Sequence, residues 1–188
     1  MLKYNWMEYL DAVDAQGEPT GEVVERSKAH LLGIRHRTSH VWLYRMKNNR
    51  VEILLQKRCA TKDSFPGCYD ISSAGHIPSG CSFEESAIRE LEEELGVKAS
   101  AAKLIYCGMQ SIDWDAEFHG LPYHDRQVTK VFLLRLDDFD EKDFRLQESE
   151  VESVRWMCYD DCIAAVLADS IKHCISVSEL EMLRDKMK

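Results

Sequence analysis

The chain of 188 residues lacks three features that would each assign it to a class of proteins. It has no apolar run near the ~18 residues that cross a membrane, and its first residues are charged and amphipathic, unlike a signal peptide. Its seven cysteines are odd in number and form no CxxC pair, so a zinc site is not indicated. With 24 basic against 33 acidic residues, it also lacks the excess of Lys and Arg that nucleic-acid binding requires.

These absences favour a protein that acts on a small molecule in a reducing compartment. We expect cytoplasmic localisation, with neither a membrane nor a nucleic acid as partner. A single domain over residues 1–188 fits the length. The formal net charge of −9 still permits a nucleotide-sized anion to bind, provided that metal ions and a few local cations assist it. The sequence leaves a homodimer open.

The most informative stretch covers residues 75–97, GHIPSGCSFEESAIRELEEELGV. Glu90, Glu93 and Glu94 stand at i, i+3 and i+4, which places three carboxylates on one side of a helix. Like charges at these spacings repel, so a bound cation would stabilise the cluster, and hard oxygen ligands suit Mg²⁺ or Mn²⁺. The alternative is an acidic face that is simply solvated.

The sequence also predicts where this helix begins and ends. Ser82 and Glu85 have the spacing of a capping box, and Gly96 supplies the stop. Leu91 and Leu95 turn toward a neighbouring sector that would meet a core. The sequence therefore predicts a helix whose acidic side and core-facing side are distinct.

This stretch resembles the Nudix box: a glycine, five residues, a glutamate, seven residues, Arg-Glu, an aliphatic residue, any residue, Glu-Glu, any residue, glycine and an aliphatic residue. Cys81 departs from the pattern, because it stands where the family has its first glutamate. The matching residues are Gly75, Arg89, Glu90, Leu91, Glu93, Glu94, Gly96 and Val97. The resemblance implies that the three glutamates hold magnesium against a diphosphate and that the arginine orients them.

The rest of the chain predicts an α/β (α+β) sandwich, in agreement with the mixed sheet between helices that the Nudix resemblance implies. An N-terminal extension, residues 1–36, would contain a hairpin within 8–26, turning at 16–17 and 19–21, and residues 27–37 would form an irregular connection. Residues 47–50 would form a hairpin turn and 114–124 a loop. Strands are predicted at 38–45, 51–56, 69–74, 104–112, 127–136 and 151–157, and further helices at 159–168 and 177–188.

A second resemblance covers residues 10–97 and extends more weakly to about 156. The segments LDAVDAQGEPTGEVVERSKAH, HVWLY, LLQKR, KDSFPG and AGH are similar to isopentenyl diphosphate isomerase and to isomerase-like Nudix hydrolases. The resemblance implies that His30, His36 and His76 bind a metal and that Arg58 and Lys62 contact a diphosphate. The alternatives are structural histidines and ordinary surface cations.

Isomerase activity is nevertheless disfavoured. The isomerases have a catalytic cysteine before their Gly-His pair, where this chain has Ala74, and two downstream glutamates where it has Asp125 and Gln127. True isomerases also lack the complete pattern of glutamates that this chain carries in its box. The sequence therefore favours hydrolysis over allylic rearrangement.

The resulting hypothesis is a Mg²⁺-dependent hydrolase of a nucleoside diphosphate or a related small-molecule diphosphate, with Mn²⁺ as an alternative cofactor. Glu93 is the first choice for activating water, and Glu94 remains open. Lys62, Arg58 and His76 would bind substrate. A carboxylate near position 127 is another expected ligand or base, and the candidates are Asp125, Glu117 and Glu148. Cys81 and Gln127 keep a third interpretation open, a weakened Nudix domain that binds a nucleotide or a partner protein.

Overall fold

The computed structural model describes residues 8–62, 64–118 and 120–187. The first seven residues of the predicted N-terminal extension and the last residue of the predicted C-terminal helix lie outside this range. The strands are β1 Tyr9–Val13, β2 Pro19–Glu25, β3 His36–Lys47, β4 Arg50–Arg58, β5 Tyr69–Asp70, β6 Ser73–His76, β7 Ile105–Phe118, β8 Leu121–Arg135 and β9 Val151–Cys158. The helices are α1 Arg26–Leu32, α2 Phe83–Leu95, α3 Tyr159–Leu167 and α4 Val177–Leu183.

In the described part of the chain, seven strands form one mixed sheet with the order β5-β4-β3-β8-β7, to which β6 adds beside β3 and β9 beside β4. Only the β3–β8 pair is parallel among these pairings. Strand β3 is long enough to pair with β6 along its first half and with β4 along its second. The β1–β2 hairpin stands apart as a two-stranded sheet.

Helices cover both faces of the sheet, as predicted. Alternation along β3 sends Val41 and Leu43 into the core beneath α2, and Trp42 and Tyr44 into the core beneath α3 and α4. Both sets are almost fully buried, so β3 carries hydrophobic side chains on both faces. The predicted sandwich of a mixed sheet between helices is thus confirmed.

The predicted turn at 47–50 is confirmed as well. Asn48 and Asn49 have φ angles of 51° and 60°. These left-handed values fit the mirror-image turn that joins twisted strands, and asparagine tolerates them better than most residues.

Two predicted irregular segments are regular in the structure. Residues 27–37 were expected to be irregular, but α1 covers Arg26–Leu32 and ends at Gly33, whose φ is 67°. Seven residues are too few to show a helical period, and burial of Ala29 and His30 stabilises this short helix instead.

The predicted loop 114–124 is also wrong, because β7 and β8 extend through it as a long hairpin. Exposed acids alternate there with half-buried aromatic residues, which is a strand period that the polar composition obscured.

Smaller corrections concern three other segments. The predicted strand 69–74 splits in two because β5 pairs with β4 and β6 with β3; residues 19–21 belong to β2; and α4 ends at Leu183. No helix among the described residues has the length and apolar character required to span a membrane.

Candidate active site

Helix α2 begins and ends as the sequence predicts. The Ser82 hydroxyl accepts a hydrogen bond from the Glu85 amide at 3.2 Å, and the Glu85 carboxylate accepts one from the Ser82 amide at 3.1 Å. Gly96 closes the helix in the left-handed conformation with φ of 69°. This confirmed capping box fixes the helix register, and with it the direction of each glutamate.

Strand β6 approaches α2 so closely that one position must lack a side chain. A Cβ atom on Gly75 would lie 2.2 Å from Cγ of Glu90. Gly75 does not have a positive φ, so the requirement is for space. The first glycine of the box therefore holds the Glu90 side chain between strand and helix.

The three box glutamates differ in their surroundings. Glu93 is exposed, whereas Glu94 is only 6% exposed and its Oε2 has no hydrogen-bond partner among the described residues. Burial raises the pKa of Glu94 to about 8 and also raises the pKa of Glu90. Arg89 donates to Glu90 at 2.9 Å, and its Nε lies 3.9 Å from Glu93. A buried carboxylate oxygen without a partner is costly, so Glu94 is suited to an added cation.

These glutamates line a cleft of about 580 Å³ between α2, β6, the N-terminal hairpin and two loops. Five carboxylates and three cations line the cleft, so carboxylates are in excess. The closest pairs are Arg26 with Glu8 at 3.3 Å, Lys62 with Glu150, and Arg89 with Glu90 at 2.9 Å, and Arg89 also lies 3.9 Å from Glu93. The cleft is therefore acidic and also contains basic side chains.

Sequence reasoning predicted Lys62, His76 and Arg89 among the cleft residues but missed Glu8, Arg26 and Glu150. None of these three belongs to the box, and their separation along the chain gave no signal of proximity. The two other candidate acids, Glu117 and Glu148, are exposed and are not among the residues that line the cleft.

Arg58 also lies outside the lining of the cleft. Its guanidinium donates to Asp70 at 2.9 Å and to the backbone carbonyl of Ser64 at 3.0 and 3.1 Å. These contacts fold the segment that follows β4 back on itself. Arg58 thus supports the segment that carries Lys62.

Three histidines that were predicted to bind a metal lie together at the end of β6. One ring nitrogen from each of His30, His36 and His76 lies within 4.8 Å of the others, and the Nε2 atoms of His30 and His76 are 3.2 Å apart. Burial lowers the pKa of all three and brings that of His30 to about 3, so the rings are neutral at pH 7. Neutral imidazole is the form that binds metals.

The donor set of this cluster is partly fixed by hydrogen bonds. Nδ1 of His36 lies 2.9 Å from the Ile34 carbonyl, and its buried Nε2 has no partner in the described structure. Asp125 approaches Nδ1 of His30 to 3.7 Å, and burial raises the pKa of Asp125 to about 6. Gln127 donates to Asp125 at 2.7 Å, so the amide at this position orients the carboxylate.

Two positions that depart from the family patterns are now placed. Cys81 packs against the core beneath α2 and is not among the residues lining the cleft. Ala74 does line the cleft, next to Gly75, and supplies no thiol there.

Comparison with known proteins identifies relatives of this chain. The chain is 37% identical over 157 residues to Nudix hydrolase 3 of Arabidopsis thaliana, with 82% of the chain but 20% of that protein covered. It is 34% identical over 144 residues to the uncharacterized Nudix hydrolase CA_C0446 of Clostridium acetobutylicum, with 77% of the chain and 66% of that protein covered. The chain thus spans a fifth of the length of the first relative and just under two thirds of the length of the second.

The crystal structure of DR0079 from Deinococcus radiodurans shares the fold. Its TM-score is 0.72 at 20% sequence identity, and the match covers 93% of this chain and 98% of the other. Residues 34–174 match the family model described as NUDIX domain. The chain therefore belongs to the Nudix family.

Proposed function

We propose that the protein is a Mg²⁺-dependent hydrolase that cleaves a diphosphate linkage in a nucleoside diphosphate or a related small-molecule diphosphate. The observation that carries the proposal is the buried, unpartnered Oε2 of Glu94, which lies with Glu90 and Glu93 in one cleft. Such a set of carboxylate oxygens suits Mg²⁺, and Mn²⁺ is the alternative. The names of the two relatives support hydrolysis.

The box residues would have different roles in the reaction. Glu90 and Glu94 would hold the metal, because one is fixed against Gly75 and the other has the free oxygen. Bound Mg²⁺ supplies neutralising charge to phosphoryl oxygens and lowers the pKa of water. Glu93 would ligate as well and is the residue that accepts a proton from water, because its carboxylate is the exposed one. Arg89 orients Glu90 through their hydrogen bond.

The cleft favours a polar substrate over an isoprenoid one. Lys62 and Arg26 line the cleft as cations for phosphate oxygens, and His76 belongs to both the cleft and the histidine cluster. The apolar contribution to the lining is small, with Ala74 and Pro78 as its aliphatic members. An isopentenyl group would find little apolar surface to bury there.

A panel of nucleoside diphosphates, dinucleoside polyphosphates and sugar diphosphates with Mg²⁺ tests the proposal. We expect release of phosphate or a monophosphate from at least one class, and a fall in kcat of about 100-fold or more for Glu93→Gln. Glu92→Gln, an exposed neighbour on the same helix, is the matched control and should keep wild-type kcat. Thermal stabilisation by a nucleotide without turnover, unchanged in Glu93→Gln, would instead support a binding module.

We further propose that the histidine cluster holds a second metal. His30, His36 and His76 would be its ligands, and Asp125, which lies 3.7 Å from Nδ1 of His30, would orient that ring. The unpartnered Nε2 of His36 and the neutral rings support this, and imidazole ligands suit a transition metal better than Mg²⁺.

Elemental analysis of the purified protein tests the second site. We expect about one equivalent of a transition metal, lost in His36→Gln and retained in His173→Gln, whose ring lies outside the cluster. Equal metal content in both variants would rule out the cluster as its binding site. Circular dichroism checks that the His36→Gln variant is folded.

A further inference from the structure

One ion pair in the cleft joins two segments that are distant in sequence. The ammonium of Lys62, after β4, contacts the carboxylate of Glu150, just before β9. Both side chains are partly shielded, with 21% and 34% of their surface exposed. Glu150 has no counterpart in the box.

The backbone holds the two residues in register. The Cys59 amide donates to the Glu150 carbonyl at 2.9 Å, and the Lys62 amide donates to the Cys59 carbonyl at 3.1 Å. On the other side, the amide of Glu150 donates to the carbonyl of Gln147 at 2.8 Å, and the amide of Gln147 donates to the carbonyl of Glu94 at 2.9 Å. Glu150 is thereby tied both to the turn that carries Lys62 and to the end of the box helix.

The pair belongs to the same cleft as the box glutamates. Lys62 and Glu150 both line it, together with Glu90, Glu93 and Glu94. A similar pair, Lys57 with Glu152 at 2.6 Å, lies nearby on β4 and β9 but outside the cleft lining. The chain thus offers an internal comparison between a pair in the cleft and one outside it.

We propose that Glu150 is a positioning residue that holds Lys62 for the second phosphate of a diphosphate, while the box glutamates and their metal engage the first. This inference rests on the proposed function. A lysine side chain loses considerable rotamer entropy when it is fixed, and a carboxylate partner that fixes it beforehand removes part of that cost from substrate binding. Glu150 therefore acts through Lys62 and sets affinity for diphosphates over monophosphates.

A double-mutant cycle on binding and turnover tests this role. The probe is methylenediphosphonate with Mg²⁺, followed by calorimetry, alongside kinetics on whichever diphosphate the wild-type protein hydrolyses. We expect Glu150→Ala and Lys62→Met each to weaken probe binding and raise KM about 10-fold, with kcat within about twofold. The double variant should be no weaker than Lys62→Met alone, because the effect of Glu150 passes through Lys62. Glu152→Ala is the control and should match the wild type.

The outcomes separate the two proposals. An additive loss of about 100-fold in the double variant, or a fall in kcat at unchanged KM for Glu150→Ala, would overturn the positioning role. Wild-type turnover alongside either result leaves the hydrolase proposal standing. A wild-type protein that neither binds the probe nor turns over any diphosphate would contradict both.

Discussion

Glu94 and Glu179 are both buried glutamates, and their environments are opposite. Glu94 is 6% exposed and Glu179 is 2% exposed, and each lies on a helix that covers one face of the sheet. Burial raises the pKa of Glu94 to about 8. Burial also acts on Glu179, but the charge of His40 and the hydrogen bonds around it outweigh this and lower its pKa.

The difference lies in the donors. Glu179 accepts hydrogen bonds from Trp42 at 2.7 Å and from Gln110 at 2.6 Å, and Nδ1 of His40 lies 2.9 Å from it. Glu94 leaves Oε2 without a partner within the described residues. The donors around Glu179 join α4 to the sheet, whereas the free Oε2 of Glu94 is the atom that the proposed metal site would use. Burial alone does not distinguish a structural acid from a functional one.

The largest expected effect is on catalysis at Glu94. Glu94→Gln should lower kcat about 1000-fold in the presence of Mg²⁺, because it removes the buried metal ligand, while the melting temperature stays the same or rises. Steady-state kinetics and thermal unfolding of the same samples measure both quantities, with Glu92→Gln as the control. A variant that kept its kcat would place Glu94 with Glu179 as a structural acid.

The converse effect is on stability at Glu179. Glu179→Gln leaves His40 without its counterion and should cost about 3 kcal/mol of unfolding free energy, which lowers the melting temperature by roughly 6 to 12 °C. The exposed Glu181→Gln on the same helix should change it little. Because the network lies away from the cleft, kcat/KM at 25 °C should stay within about threefold of wild type; a larger loss would link the two faces.

The smallest effect is on the pH dependence of stability without metal. The folded pKa of Glu94, about 8, exceeds its ordinary value of 4.5, so its contribution to stability is present below pH 4.5 and is lost as the pH rises toward 8. The pKa of Glu179 is lowered, so its contribution is present above pH 4.5 and is lost as the pH falls through its folded value. Denaturant titrations from pH 3 to 9 should show a flatter decline above pH 5 in Glu94→Gln and a weaker acid transition in Glu179→Gln. Identical profiles would contradict the contrast.

The parts of this protein that were predictable from sequence are those coded locally. The capping residues and Gly96 predicted α2 because a helix end is satisfied by residues within a few positions. Segments rich in β-branched and aromatic residues predicted the central strands, and that signal is local as well. Lys62 and Glu150 are 88 residues apart, and only the folded sheet brings β4 and β9 together, so no local pattern could reveal their pairing.

The errors have the same origin. Helix α1 is too short for a period to be visible, and its stability comes from packing against β8, which lies far along the chain. The end of the β7–β8 hairpin, residues 114–124, was predicted as a loop because its polar composition obscured the alternation of exposed acids with half-buried aromatic residues. Only the resemblance suggested that the histidines lie close together. Their proximity depends on the antiparallel pairing of β3, which carries His36, with β6, which carries His76, and no local pattern predicts that pairing.

The contact between Gly75 and Glu90 explains why the box has a glycine at its first position. The glycine is required because the carboxylate arm occupies the space of a side chain, so the two residues share one cavity between strand and helix. A larger residue at position 75 would displace the Glu90 side chain, and with it a carboxylate that lines the cleft. The first glycine and this glutamate are therefore a single packing unit whose members lie fifteen residues apart in this chain.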